Sequence, residues 1–297
     1  MIKIGNCPDS WGIWFDKNDK QMDWRRFTRE FHDAGYTYTE IGPLGYMSTD
    51  PDELNAEFKK WDIKPVAGNI MFDLSDNDKM EWAEGHTRKV CDLLTKIGGE
   101  YYIIMDAMYD DLITGEHLQP STLSDDKFQM LITNLVKLSR VAKEYGIKPV
   151  FHPHAGTHVE YEAQIEKVLD ATSPDDVMLC FDTGHHIYCK GNDVYRFIEA
   201  YGDRISFLHF KDLVEDVKNE VWEKGDTFPV ATKKGIWADI GKGQIDWPRL
   251  KESLDKVNFD GYAIVEQDCY PTDFDKPLPV QKAIGEYLVS IGMGTLK

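Results

Sequence analysis

A chain of 297 residues could hold two average domains, but 42% hydrophobic and 29% charged residues mark an ordinary soluble globular protein, and about 250 residues is a usual span for one α/β barrel. No apolar run approaches the roughly 20 residues that span a bilayer, and a formal net charge of -18 would repel a phosphate backbone, so membrane and nucleic-acid partners are not expected. Five scattered cysteines without C-x-x-C spacing argue against a disulfide framework or a thiolate zinc knot, and the opening MIKIGNCPDSWGIW has neither the basic nor the apolar part of a secretory signal, so a cytoplasmic location is expected.

Short β-branched or aromatic runs alternate along the chain with longer amphipathic stretches. The first strand is predicted at Ile2–Cys7, with a helix over Trp24–Ala34. The next units are Tyr36–Ile41 with Asp52–Trp61, Lys64–Asn69 with Lys79–Ile97, and Tyr101–Met105 with Asp126–Tyr145. Four more follow: Lys148–His152 with Glu162–Ala171, Val177–Asp182 with Val194–Tyr201, Ile205–Phe210 with Trp247–Val257, and Tyr262–Glu266 with Val280–Ser290. In the fourth helix Leu131, Leu135 and Leu138 recur at spacings of three to four and give one core-facing stripe. Gly35, Gly98, Gly146 and Gly261 each stand between a helix and the next strand, where a left-handed cap suits glycine.

Eight strand-helix units without a glycine-rich dinucleotide fingerprint after the first strand predict a (β/α)8 TIM barrel, a single domain over residues 1–297, in preference to a doubly wound open sheet. The longest connection, Lys211 to about Asp246, carries Trp222 and Trp237 and is expected to cover a site. Barrel enzymes place their chemistry where strands end. Here the fifth ends in His152 and His154, the sixth in Asp182 with His185 after it, the seventh in His209 and Lys211, and the eighth in Glu266. Imidazoles and carboxylates together suit a divalent ion such as Mn2+, Co2+ or Zn2+ better than Mg2+ or Ca2+. Trp11, Trp14 and Trp237 are candidates to face the C–H surfaces of a sugar-like ring, with core packing as the alternative.

The motifs PDSWGIW at Pro8–Trp14, HPHAGTHVE at His152–Glu160, FDTGH at Phe181–His185, HFKD at His209–Asp212 and DIGKGQIDW at Asp239–Trp247 run from the first strand to the last. Together they resemble the sugar phosphate isomerase/epimerase superfamily of xylose isomerase-like barrels, and within it the inosose (2-keto-myo-inositol) dehydratases. The resemblance implies one metal, held by a glutamate ending the fifth strand, an acid ending the sixth, a histidine ending the seventh and a glutamate ending the eighth. Asp182, His209 and Glu266 stand at three of these positions. The fifth-strand position is His152, with Glu160 further along the same loop as its rival. Asn69 and Asp106 occupy strand ends where a multi-metal relative would carry further ligands.

The implied activity is metal-dependent loss of water from a small polyol ketone in inositol catabolism, through an enolate, with Mn2+ or Co2+ favoured and Zn2+ the alternative. A ketose isomerase or epimerase on the same barrel would use the same metal and the same proton abstraction. Glu40, His154, His185 and Lys211 are the candidates for proton transfer or substrate contact, in no order. Glutathione is linked to the family, though no residue here marks a site for it. A homo-oligomer is left open.

Overall fold

A computed structural model describes residues 1–296. Strands β1 (Lys3–Asn6), β2 (Tyr38–Glu40), β3 (Lys64–Phe72), β4 (Tyr101–Asp106), β5 (Lys148–Phe151), β6 (Met178–Asp182) and β7 (Ile205–Phe210) pair in parallel with their neighbours. Two short strands, β8 (Asp212–Leu213) and β9 (Trp237–Ala238), form a separate antiparallel ribbon. β10 (Tyr262–Val265) then pairs with both β7 and β1 and closes an eight-stranded barrel. Among the described residues no helix is long and apolar enough to cross a membrane.

The strands are buried on both faces, as closed parallel sheets require, and successive side chains alternate between two separate apolar clusters. Ile103, Val150, Cys180, Phe207 and Ile264 belong to the cluster inside the barrel. Tyr102, Ile104, Phe151, Phe181, Leu208 and Ala263 belong to the layer under the helices. At one end of the interior Tyr101, Phe207 and Tyr262 fill the lumen, with ring centroids 5.1 to 6.1 Å apart.

All eight predicted helices recur within a few residues: α1 (Trp24–Asp33), α2 (Pro51–Trp61), α3 (Met80–Ile97), α4 (Asp125–Glu144), α5 (Glu162–Ala171) and, after a short unpredicted α6 (Thr183–Tyr188), α7 (Val194–Tyr201), with the last two following the long connection. Asp23, Asp50, Ser124 and Asp193 cap four of them through side-chain oxygens. Gly35, Gly98 and Gly146 adopt the left-handed conformation expected of them, at φ 92°, 85° and 72°. Gly261 does not. Asn258 takes the left-handed position instead, at φ 53°, while Gly261 serves close approach, since a Cβ there would lie 2.8 Å from the Phe259 ring.

The long connection is not bare loop. It holds β8, α8 (Glu215–Lys224), α9 (Phe228–Lys233) and β9 before α10 (Trp247–Lys256); the last helix is α11 (Pro277–Ser290). Its framework is the buried Asp212, whose carboxylate accepts from the backbone N–H groups of Leu213, Gly241, Gly243 and Ile245 and from the Trp247 indole at 2.8 Å. The motif Asp239–Trp247 is thereby wrapped around one side chain, which satisfies five donors, three of them buried.

Candidate metal and substrate site

The alternation that fills the barrel also aims the strand-end residues. Val150, Cys180, Phe207 and Ile264 point inward, so the residues two places later, His152, Asp182, His209 and Glu266, point inward at the carboxyl ends of β5, β6, β7 and β10. One donor atom from each of these four buried residues lies within 4.8 Å of all the others. Asp182 also caps α6, accepting from the His185 N–H at 2.7 Å through Oδ1, which turns its Oδ2 toward the cluster. Glu40, at the end of β2, accepts from His209 Nε2 at 2.7 Å, so His209 presents Nδ1 to the group, 2.5 Å from Glu266 Oε2.

Both ring nitrogens of His152, Nδ1 of His209, Oδ2 of Asp182 and Oε2 of Glu266 are buried and make no hydrogen bond, the close His209–Glu266 approach lacking hydrogen-bond geometry. Orphaned polar atoms are costly and uncommon in a folded interior. Five of them on four convergent side chains fit a divalent cation, and two imidazoles with two carboxylates suit Mn2+, Co2+ or Zn2+. The rival Glu160 stands elsewhere. Its oxygens accept from the Tyr109 hydroxyl at 2.9 Å and the Gly156 N–H at 2.8 Å, and it shares no atom with the cluster.

The four candidates for proton transfer divide into two sets. Glu40 and His154 line a cavity of about 640 Å³ above the cluster, together with His209 and Glu266. His185 and Lys211 lie behind it, 1% exposed. Lys211 Nζ donates to His185 Nε2 at 2.8 Å and Asp268 Oδ2 at 2.9 Å, and sits 3.4 Å from Glu266 and 3.6 Å from Asp182, under the Trp237 ring. Burial opposes its charge, but Asp268, Glu266 and Asp182 outweigh burial and hold its pKa well above the usual lysine value. It pairs with those three acids and not with its neighbour Asp212.

His154 donates from Nδ1 to the Ala155 carbonyl at 2.7 Å, which assigns Nε2 as its acceptor. Burial, and then Lys211, push its pKa down to about 3, so the ring is neutral. His185, its ring tilted against that of His154 with centroids 3.6 Å apart, is likewise driven well below the usual range by burial and by His154. Burial raises Asp182 to about 6, with Lys211 opposing and Glu266 reinforcing.

Besides the exposed Asp16, two further acids line the cavity that strand-end reasoning did not assign. Asp9 stands on a short turn after β1, and burial, Glu266 and Asp268 hold its pKa well above the usual range. Asp268 is tied to Lys211, and burial raises it too. Both were visible, as the acid of the PDSWG motif and as an acid two places beyond Glu266. Of the three tryptophans, Trp11 is core, donating to Glu30 and packing edge-on against Phe27. Trp14 lines the cavity and Trp237 covers His185 and Lys211.

Residues 28–288 match the sequence model of the xylose isomerase-like TIM barrel family. The inosose dehydratase of Geobacillus kaustophilus is 30% identical over 297 residues, covering 97% of this chain and 94% of its own. Among solved structures, the IOLI protein with a bound zinc atom superposes with a TM-score of 0.71 at 19% identity, over 97% of this chain and 98% of that one. An L-ribulose 3-epimerase gives 0.71 at 16% identity, over 98% and 94%.

Proposed function

The chain belongs to the xylose isomerase-like TIM barrel family, among the inosose dehydratases, and from that premise we propose that it is a metal-dependent hydro-lyase that removes water from 2-keto-myo-inositol. The observation that carries this reading is the set of four buried, unpartnered donors at the base of a cavity lined by further acids. Sugar-like ketones of this kind need their carbonyl polarised before an α-proton can leave. A divalent ion such as Mn2+, Co2+ or Zn2+, held by His152, Asp182, His209 and Glu266, would supply Lewis acidity worth several kcal/mol at the ketone oxygen.

The protein's own groups account for the rest. His154 offers Nε2 as a neutral acceptor for a ring hydroxyl, and Glu40 fixes the tautomer and aim of His209. Asp9, whose pKa burial and the neighbouring Glu266 and Asp268 hold above the usual carboxylate range, accepts the α-proton, and the C–H electrons form the enolate. The enolate then re-forms the ketone, its carbon–carbon pair moves to a new double bond between the α- and β-carbons, and the β-carbon–oxygen bond breaks with its pair leaving on hydroxide. The departing hydroxide takes a proton from the Lys211–Asp268 pair and leaves as water. No electrons are gained or lost overall. The proton on Asp9 and the deficit on the pair equalise through solvent.

Inositol catabolism in the cytoplasm, on a small-molecule substrate, is the setting this reading supports. Chelation tests its metal dependence. EDTA treatment should abolish turnover of 2-keto-myo-inositol, and stoichiometric Mn2+, Co2+ or Zn2+ should restore it. Full turnover in the chelated, metal-free protein would remove the metal from the account. Return of the abstracted proton to a ring carbon, in place of loss of hydroxide, would make the same site an isomerase or epimerase.

A further inference from the structure

The cavity has two unlike halves. The metal-binding cluster is built on β5, β6, β7 and β10. β3, which lies diametrically across the barrel from β7, joins β4 and the first turn of α3 in a wall of Ile70, Met71, Trp82 and Met105, extended by Leu112. The extension of β3 past Asn69 to Phe72 is what raises Met71 to the rim. Trp82 is 57% exposed and Met71 40%, and both line the cavity. The Trp82 ring is fixed in this position, stacked on His86 at 5.2 Å and set 6.3 Å from the Phe72 ring.

An inosose carries oxygen on every ring carbon. Its hydroxyls find partners at the acidic end and, on the opposite side, only Asn69 and His86 beside a wall of methionine, leucine and tryptophan that offers them no hydrogen bond. The volume is also more than such a ring fills: about 640 Å³ sits well within the ~300–1,000 Å³ of sites for drug-sized ligands. Methionine sulfur and an indole face are favourable neighbours for an aromatic ring in particular.

We propose that the site takes a ring polyol ketone bearing an aromatic substituent, with the ketone at the four-donor cluster and the substituent against Met71, Trp82 and Met105. This rests on the polyol-ketone reading above and names a larger substrate class for the same site.

The mono-O-benzyl ethers of 2-keto-myo-inositol, one for each ring hydroxyl, test it in the Mn2+-loaded protein. Binding is measured by calorimetry, and dehydration of the parent ketone is followed in parallel. At least one ether should bind about tenfold or more tightly than the parent, as burial of a phenyl group predicts. The double variant Met71→Ala/Trp82→Ala should bring that ratio to within about twofold; both side chains are exposed, and an unchanged thermal midpoint would show the fold intact. Ethers that bind no better than the parent, or not at all, overturn the proposal, as does a preference that survives in the double variant. If the variant changes the sedimentation coefficient but not the ratio, the wall is an interface between copies and the proposal fails. Dehydration of the parent without any preferred ether leaves the dehydratase reading standing alone. A Trp82-dependent preference without dehydration upholds the wall and overturns that reading.

Discussion

At the end of β5 both nitrogens of His152 lack partners, while both oxygens of Glu160 are engaged. We predict a graded loss of metal affinity, read by titrating Mn2+ into the metal-free protein. His152→Gln should lose most, as should Asp182→Ala, His209→Ala and Glu266→Ala. Glu40→Gln should lose about 10–100-fold, because it acts only through the aim of His209. Glu160→Gln should stay near wild type. Equal affinity in wild type and His152→Gln, with loss in Glu160→Gln, would transfer the role.

His154 gives a pH prediction whose sign is fixed by burial. Its folded pKa is lowered to about 3, against ~6.5 in the unfolded chain. As pH falls below ~6.5 the unfolded state takes up a proton that the folded state refuses, so His154 costs stability progressively down to about 3. In metal-free protein, His154→Gln should therefore become more stable relative to wild type as pH falls through this window. A difference in thermal midpoint that stays constant with pH would contradict the buried, neutral ring.

The strand-end residues were legible in the sequence because a strand alternates with period two, and an inward apolar residue predicts the inward residue two places on. The division of labour among Glu40, His154, His185 and Lys211 was not legible. It depends on depth: Lys211 and His185 lie under Trp237, delivered by a segment whose path strand and helix periodicity do not specify.

Among the elements, that segment carries the largest departure from expectation. Its length and tryptophans pointed to a cover, but α8, α9 and the β8–β9 ribbon are short, and their placement depends on Asp212. Asp212→Ala strips the acceptor from five donors at once. Each donor left unpaired and buried costs about 1–3 kcal/mol, and relaxation toward water recovers part, so we predict a loss of roughly 3 kcal/mol or more in denaturant unfolding. A loss below about 1 kcal/mol would mean that the segment holds its shape without Asp212. The left-handed turn at Asn258 was hidden for a related reason. Glycine was the stronger local signal, and the need at Gly261 is for space against Phe259, which only the packed structure reveals.

For the whole molecule, closure of the barrel brings residues from opposite ends of the chain to one point. Asn6 on β1 donates to Gln281 on α11 at 3.0 Å, and Gln281 donates to Gln267 just past β10. This seam holds the Asp9 turn beside the Glu266–Asp268 end, so the proposed proton acceptor and the metal-binding group share a rigid support. Eight alternating units made the architecture readable from sequence, whereas the polar and apolar halves of the rim emerge only from strand order. The central claim is an elimination. Incubating the Mn2+-loaded protein with 2-keto-myo-inositol in deuterium oxide and weighing the products by mass spectrometry tests it directly. The account predicts a product lighter by one water. Deuterium entering a ketone that keeps all its oxygens would contradict it and make the protein an epimerase or isomerase.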